Sequence, residues 1–350
     1  MTDWTLEPVA AIDGDAVAAA QARQAQLTKP PGSLGRLESL AESFAGWQGR
    51  TRPQLSLIDV CVFAADHGVA ARGVSAFPQA VTAQMIANFA DGGAAVSVLA
   101  GEHGARLAVV NMGIVGTLVE SAGVIDCTVA SGTADFTHGP AMTDATLVAA
   151  LAAGRAQVDS AAQLFIGGEM GIGNTTSAAA MLAALTDARP ADVVGRGTGV
   201  DDAGLARKHA VVAEALARHG PNWSACDEAE RARRVLADVG GLEIAALVGA
   251  MIGAAQAGVP VLVDGFITTV AALVACRINP GVRDWLGFAH RSAEAGHGVA
   301  LAALDAAPLL DLGMRLGEGS GAVLAVGLIR SALALHAGMA TFADAGVDVE

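Results

Sequence analysis

The sequence predicts a doubly wound α/β fold, Rossmann-like, on a mostly parallel sheet, with a small helical subdomain contributed by the two termini. Three observations carry this. Apolar runs rich in β-branched residues recur without polar alternation, the pattern of strands covered on both faces. Ala-rich helical patterns separate most of those runs, as strand-helix-strand crossovers require. Asp66, Glu169, Arg196 and Asp264 fall at the ends of such runs, where open α/β sheets bind ligands.

Taken in order, residues 1–50 read as an N-terminal helical segment, with helices over 14–27 and 34–48 broken by Pro30, Pro31 and Gly32. Residues 51–319 read as the α/β domain. Its strand runs are 55–65, 106–112, 124–129, 164–167, 191–195 and 259–263. Within it, the acidic, Ala-rich segment 224–238 reads as a surface helix, 243–257 as an apolar helix, and a further helix begins after Phe266. Residues 320–350 form a C-terminal helix, ending near Met339, and a tail. The terminal helices are expected to pack on one another.

Charge narrows the partners. The 21 basic and 35 acidic residues give a net charge of -14, and no Lys/Arg run offsets it, so nucleic acid and anionic membrane are excluded. A small anion remains possible through a few basic side chains and helix N-termini. Segment 244–275 is apolar enough to raise a membrane span. Pro260, several glycines, Glu243 and Asp264 interrupt or flank it, and a helix-strand-helix unit of a soluble protein explains those breaks. Cys61, Cys127, Cys226 and Cys276 form no Cys-x-x-Cys pair, so neither a zinc site nor a disulfide framework is indicated. Residues 1–7 show neither a basic segment nor an apolar run, and a cytoplasmic location is expected.

The chemistry concentrates in glycine turns. In 164–177 an apolar strand enters a turn holding Glu169, then an Ala-rich helix. Gly167, Gly168, Gly171 and Gly173 admit a ligand to the backbone, while Asn174, Thr175 and Thr176 cap a helix whose free N–H groups suit a phosphate. Alone, the turn fits a tight strand-to-helix connection equally well, and it lacks the Gly-Lys-Ser/Thr ending of a P-loop. A second turn spans 192–202 and is followed by Lys208; a third, 316–322, carries Glu318 between glycines. No His-x-x-x-His or carboxylate cluster accompanies Asp66 and His67 or the pair His290 and His297, so no metal site is expected. No Gly-x-Ser-x-Gly elbow is present either.

These three turns, together with the stretches 29–38, 64–68, 74–85, 263–266 and 290–294, in this order and at these separations, resemble the nicotinate-nucleotide:dimethylbenzimidazole phosphoribosyltransferase family. The resemblance runs from about Leu27 to about His336. It implies displacement of nicotinate from nicotinate mononucleotide by a nitrogen of 5,6-dimethylbenzimidazole, as a single displacement without cofactor, in cobalamin nucleotide-loop assembly. Glu318 matches the family's general base and Glu169 a second acidic position, with Met170 beside it an aromatic-ring contact. The stretch 75–84 resembles the benzimidazole side of the pocket, Phe77 offering a stacking surface and Gln84 a hydrogen bond.

For the mononucleotide, Lys208 and the amides of Gly171, Gly173, Asn174, Thr175, Gly197 and Thr198 are the candidate contacts, with Ser292 adding a hydroxyl. Asp264 accepts from a ribose hydroxyl or caps the following helix. The family pattern further implies a homodimer whose partner helps close the pocket. Other readings are a Rossmann-like enzyme of different specificity or a regulatory nucleotide-binding protein. A dehydrogenase or methyltransferase would want Gly-x-Gly-x-x-Gly after the first strand, where only Asp66, His67 and Gly68 stand.

Overall fold

The structure, a computed structural model, describes residues 3–116 and 122–347. Among these residues lie six strands: β1 (Ile58–Ala65), β2 (Arg106–Gly113), β3 (Val124–Asp126), β4 (Leu164–Met170), β5 (Val261–Val263) and β6 (Leu286–Phe288). All neighbours pair in parallel, in the order β3-β2-β1-β4-β5-β6. The order reverses between β1 and β4, so a crevice opens beyond their C-terminal ends, where Asp66 and Glu169 lie.

Two helices precede the sheet, α1 (Gly14–Gln26) and α2 (Arg36–Gln48). Between β1 and β4 come α3 (Ala80–Ala90), α4 (Ala95–Glu102) and α5 (Asp144–Arg155). Between β4 and β5 come α6 (Asn174–Thr186), the single turn α7 (Pro190–Val193), α8 (Asp202–Trp223), α9 (Glu228–Val239) and α10 (Leu242–Ala257). The chain closes with α11 (Phe266–Ile278), α12 (His297–Ala303), α13 (Ser320–Gly338) and the short α14 (Phe342–Ala345). Side-chain caps start several of these: Asp13 accepts from the Ala16 N–H, Asp201 from Gly204 and Asp227 from Glu230.

Alternation along β1 divides the core. Cys61, Phe63 and Ala65 face a large cluster shared with α5, α6 and α8–α11, while Val60, Val62 and Ala64 face a smaller one shared with α2, α3, α4 and α13. On the larger side α10 is buried on every side from Leu242 to Ala255, which explains a composition apolar but for Glu243 along that length. It crosses α5 so closely that a Cβ on Gly154 would lie 1.8 Å from Ala246 O, and one on Gly249 would lie 2.0 Å from Leu151 O. α13 is long and apolar enough to cross a membrane by length and composition. Here its apolar residues Val323, Val326, Ile329 and Leu333 instead pack against the sheet, α2 and α4.

The N- and C-terminal segments touch. Arg23 donates to the carbonyls of His336, Ala337 and Met339, and Leu27 bridges to Thr341. Three strand expectations need correction. Residues 191–195 form no strand: Pro190 opens the turn α7, and Val193 and Val194 are buried as helix and coil. A short apolar run is ambiguous between the two states, and proline at a first helical position decides it. β3 stops at Asp126, whose side chain accepts from the Thr128 N–H and hydroxyl and turns the chain away. The sixth strand is Leu286–Phe288, three residues that are too few for a period to register.

Candidate active site

Beyond the ends of β1, β4 and β5 lies a cavity of about 680 Å³, of the size that takes a small-molecule ligand. Each of the three glycine turns contributes to it. β4 runs on through Glu169 and Met170, so these two side chains leave the strand's end on opposite faces, Glu169 buried and Met170 half-buried. Gly171, Ile172, Asn174 and Thr175 continue the wall into the first turn of α6. Gly197 and Thr198 come from the second turn; Arg315, Leu316, Gly317 and Glu318 come from the third.

The third turn is the most constrained part of the wall. Gly317, Glu318 and Gly319 all adopt left-handed φ, at +84°, +67° and +89°. Two of the three are glycines, for which this is inexpensive; the middle residue is a glutamate, for which it is strained. The turn lies directly on β4. A Cβ at Gly168 would fall 2.1 Å from the Glu318 carbonyl oxygen, so glycine there is what lets the turn approach. The turn leads straight into α13, whose N-terminal amides are taken by Asp264: Ala322 N–H donates to Oδ1 at 2.7 Å and Gly319 N–H to Oδ2 at 3.2 Å. Asp264 thus caps α13, not the following helix α11, and the residue also lines the cavity.

Three of the carboxyls on this wall are held above their ordinary range. Burial pushes Glu318 up to about 7, with the charge of Asp264 adding to the effect and the Val96 N–H opposing it. Burial likewise brings Asp264 to about 7, against the amide bonds that favour its charge. Glu169 lies well above the usual carboxylate range because it is buried and because Glu243 and Asp264 repel its charge. Their bonding differs. Glu169 accepts from the Asn174 side-chain amide and from the Glu318 N–H (3.4 Å), whereas Glu318 Oε2 is buried with no partner among the described residues. A buried carboxylate oxygen without a donor, on a cavity wall, is a group available to a ligand.

Most of the residues singled out from sequence converge here. Phe77, Met170, Gly171, Asn174, Thr175, Gly197, Thr198, Asp264 and Ser292 line the cavity with both glutamates. Phe77 is 53% exposed and stands at the rim. Its loop is tied to the second turn, since Ser75 Oγ and the Ala76 N–H both reach Thr198 Oγ1, at 3.0 and 3.1 Å.

Gly173 and Lys208 stand behind the wall. Gly173, at φ +103°, caps α6 and faces His67 and Val69. Lys208 is 1% exposed and donates from Nζ to Thr175 Oγ1 at 2.9 Å; burial lowers its pKa to about 8, against the charge of Glu294. Its charge therefore supports the turn of α6 from beneath. Gln84 is a correction: it is exposed and off the cavity, because α3 turns Val81 and Met85 inward, four residues apart, and leaves Gln84 about 100° away from Met85. Arg315, which donates to the Gly197 carbonyl at 3.2 Å, was also missed; its only signal was adjacency to the third turn.

Of the histidines considered as ligands, two are otherwise engaged, and His290 places Nε2 3.6 Å from Asp264 Oδ1 with its Nδ1 buried and unpartnered among the described residues. His67 pairs with Glu243 at 2.6 Å in full burial, and His297 accepts from the Ser292 N–H at 2.7 Å while its other nitrogen meets Thr269. Burial drops His297 to about 4, in keeping with a neutral ring that accepts at Nδ1. Among the described residues no three His, Cys, Asp or Glu side chains cluster as metal ligands.

Comparison with known proteins places this cavity in a family. A profile described as phosphoribosyltransferase matches residues 9–347. The chain is 57% identical, over 99% of both sequences, to a nicotinate-nucleotide–dimethylbenzimidazole phosphoribosyltransferase of Xanthomonas axonopodis pv. citri. It is 55% identical, again over 99% of both, to the enzyme of that name from Pseudomonas fluorescens. The crystal structure of the Thermus thermophilus enzyme superposes with a TM-score of 0.88 at 45% identity, covering 97% of this chain and all of that one. With the crevice, the paired glutamates and the three glycine turns in one place, the chain belongs to the nicotinate-nucleotide–dimethylbenzimidazole phosphoribosyltransferase family.

Proposed function

We propose that this protein transfers the 5-phosphoribosyl group of nicotinate mononucleotide to 5,6-dimethylbenzimidazole, releasing nicotinate and forming α-ribazole 5′-phosphate for cobalamin nucleotide-loop assembly. The observation that carries the mechanism is Glu318, buried on the cavity wall, with one oxygen free of any partner among the described residues. One ring nitrogen of the base attacks the anomeric carbon as the bond to the pyridinium nitrogen breaks. That electron pair returns to the pyridine ring, so nicotinate leaves without needing a proton. Inversion at the anomeric carbon turns a β-nucleotide into an α-nucleotide. The N–H on the other ring nitrogen becomes acidic as the new bond forms, and Glu318 takes that proton.

The elevation of Glu318 to about 7 suits a base that works near neutral pH. Glu169, with both oxygens engaged, orients the Glu318 turn and does not act on substrate itself. The acceptor base lies between the α3 side, with Phe77, Val81 and Met85, and the β4 side at Met170. The mononucleotide phosphate lies at the α6 turn and the 197–198 turn, over Lys208, with Ser292 beside its ribose. Asp264 serves through α13, as its cap. Exposed Phe77 and Leu316, 53% and 56% exposed at the cavity rim, support closure by a second copy in a homodimer. The direct test is incubation with nicotinate mononucleotide and dimethylbenzimidazole, followed by identification of products. Nicotinate and α-ribazole 5′-phosphate in equal amounts are expected; absence of the nucleotide product refutes the assignment.

A further inference from the structure

Buried polar groups at the end of β1 take no part in the chemistry above, yet they touch both sides of the base slot. Asp66, 1% exposed, accepts the Thr82 hydroxyl at Oδ1 (2.7 Å) and the Val115 N–H at Oδ2 (2.8 Å). Because its one proton goes to Asp66, the wholly buried Thr82 hydroxyl presents lone pairs elsewhere, and the Ile172 N–H donates to it at 3.3 Å. Thr82 adjoins Val81 and lies one turn from Met85 on α3; Ile172 follows Met170 and Gly171 after β4. A second tether acts in the same direction, Gln79 donating its side-chain amide to the His67 carbonyl at 2.8 Å.

We infer that Thr82 is a positioning and specificity-determining residue: its hydroxyl, held by Asp66 and bonded by the Ile172 N–H, sets the spacing between the α3 and β4 walls of the base slot. A flat aromatic ring needs contact on both faces, and a gap of ~0.5–1 Å on one face forfeits about a quarter to a half of the dispersion attraction there. One hydroxyl bridging the two walls therefore controls which rings fit. The inference rests on the seat assigned to the acceptor base under the proposed function.

Thr82→Val keeps the volume and removes both bonds; Thr82→Ser keeps the bonds and removes a methyl. Steady-state kinetics and equilibrium titration of dimethylbenzimidazole are measured on both variants and wild type, with a thermal melt of each. For Thr82→Val, the dimethylbenzimidazole KM and Kd should rise roughly five- to tenfold, the worth of about one lost hydrogen bond. The order of kcat/KM among dimethylbenzimidazole, benzimidazole and adenine should change, the mononucleotide KM should stay near wild type, and Thr82→Ser should restore the wild-type pattern. Unchanged base KM and order in a folded Thr82→Val, equal rises in both substrates' KM, or a Ser variant no better than Val would overturn the inference. Should Thr82→Val not fold, Thr82→Ala, which also lacks the hydroxyl, is read by the same criteria. A wild type that neither binds the base nor forms product would remove the functional reading, and this inference with it.

Discussion

The turns that present Glu169 and Glu318 have nearly the same composition, a glutamate among glycines ahead of an apolar helix, and the structure uses them in opposite ways. Glu169 lies within a strand, one residue before its end, with both carboxylate oxygens bonded. Glu318 stands in left-handed backbone with an oxygen left bare among the described residues. On the function proposed above, one turn is a support with its bonds closed, and the other carries the base in strained backbone. Unsatisfied bonding and backbone strain separate the two roles; residue type does not.

The comparison breaks most directly at Glu318. Glu318→Gln should retain the fold and mononucleotide affinity and lose roughly 10²–10⁴-fold in turnover, the worth of a general base. Near wild-type turnover at saturating substrates, with chemistry rate-limiting, would exchange the two roles. Next in size is Gly168→Ala, where the new methyl meets the Glu318 carbonyl. Overpacking of this kind costs about 1–3 kcal/mol, and since it acts on the turn it should appear as a roughly 10–100-fold loss of turnover. A variant with unchanged kinetics would show that the turn moves freely on β4.

Glu169→Gln should cost only about tenfold or less, because the amide can still accept from the Glu318 N–H. A loss as large as that of Glu318→Gln would make Glu169 a direct participant. The smallest effect is on stability. Burial raises Glu318 from its ordinary 4.5 to about 7 in the folded chain, so the folded state holds a proton that the unfolded chain has released between those values. The stability associated with that proton is complete below about 4.5 and is lost as pH rises through about 7. Glu318→Gln should therefore melt close to wild type at pH 5 and roughly 2–4 °C above it at pH 8. A difference that does not vary with pH would mean that Glu318 is ionised throughout.

Much of this was legible in the sequence, for physical reasons. Glycine turns after apolar runs mark strand ends, and strand ends in such a sheet are where its crevice opens, so Glu169 and Asp264 could be placed together in advance; Glu318, whose turn follows no strand, was reached only through the family resemblance. What was not legible depended on direction and contact. That Asp264 serves α13, which begins 56 residues later at Ser320, follows from the sheet order and not from local pattern. That Val81 and Met85 face the cavity while Gln84 does not depends on helix phase relative to a neighbour. The 191–195 run was apolar and buried as expected, but burial alone does not choose between strand and helix.

The buried helix α10 has a reach beyond its packing. Its first turn carries Glu243, against His67 and Gly171; its far end hands the chain through Gly258 to β5, which terminates at Asp264. Glu243 and Asp264 are the two neighbouring charges that most oppose ionisation of Glu169. A single rod, held at mid-length by its close crossing with α5, therefore carries one of these carboxyls in its first turn and leads the chain to the other.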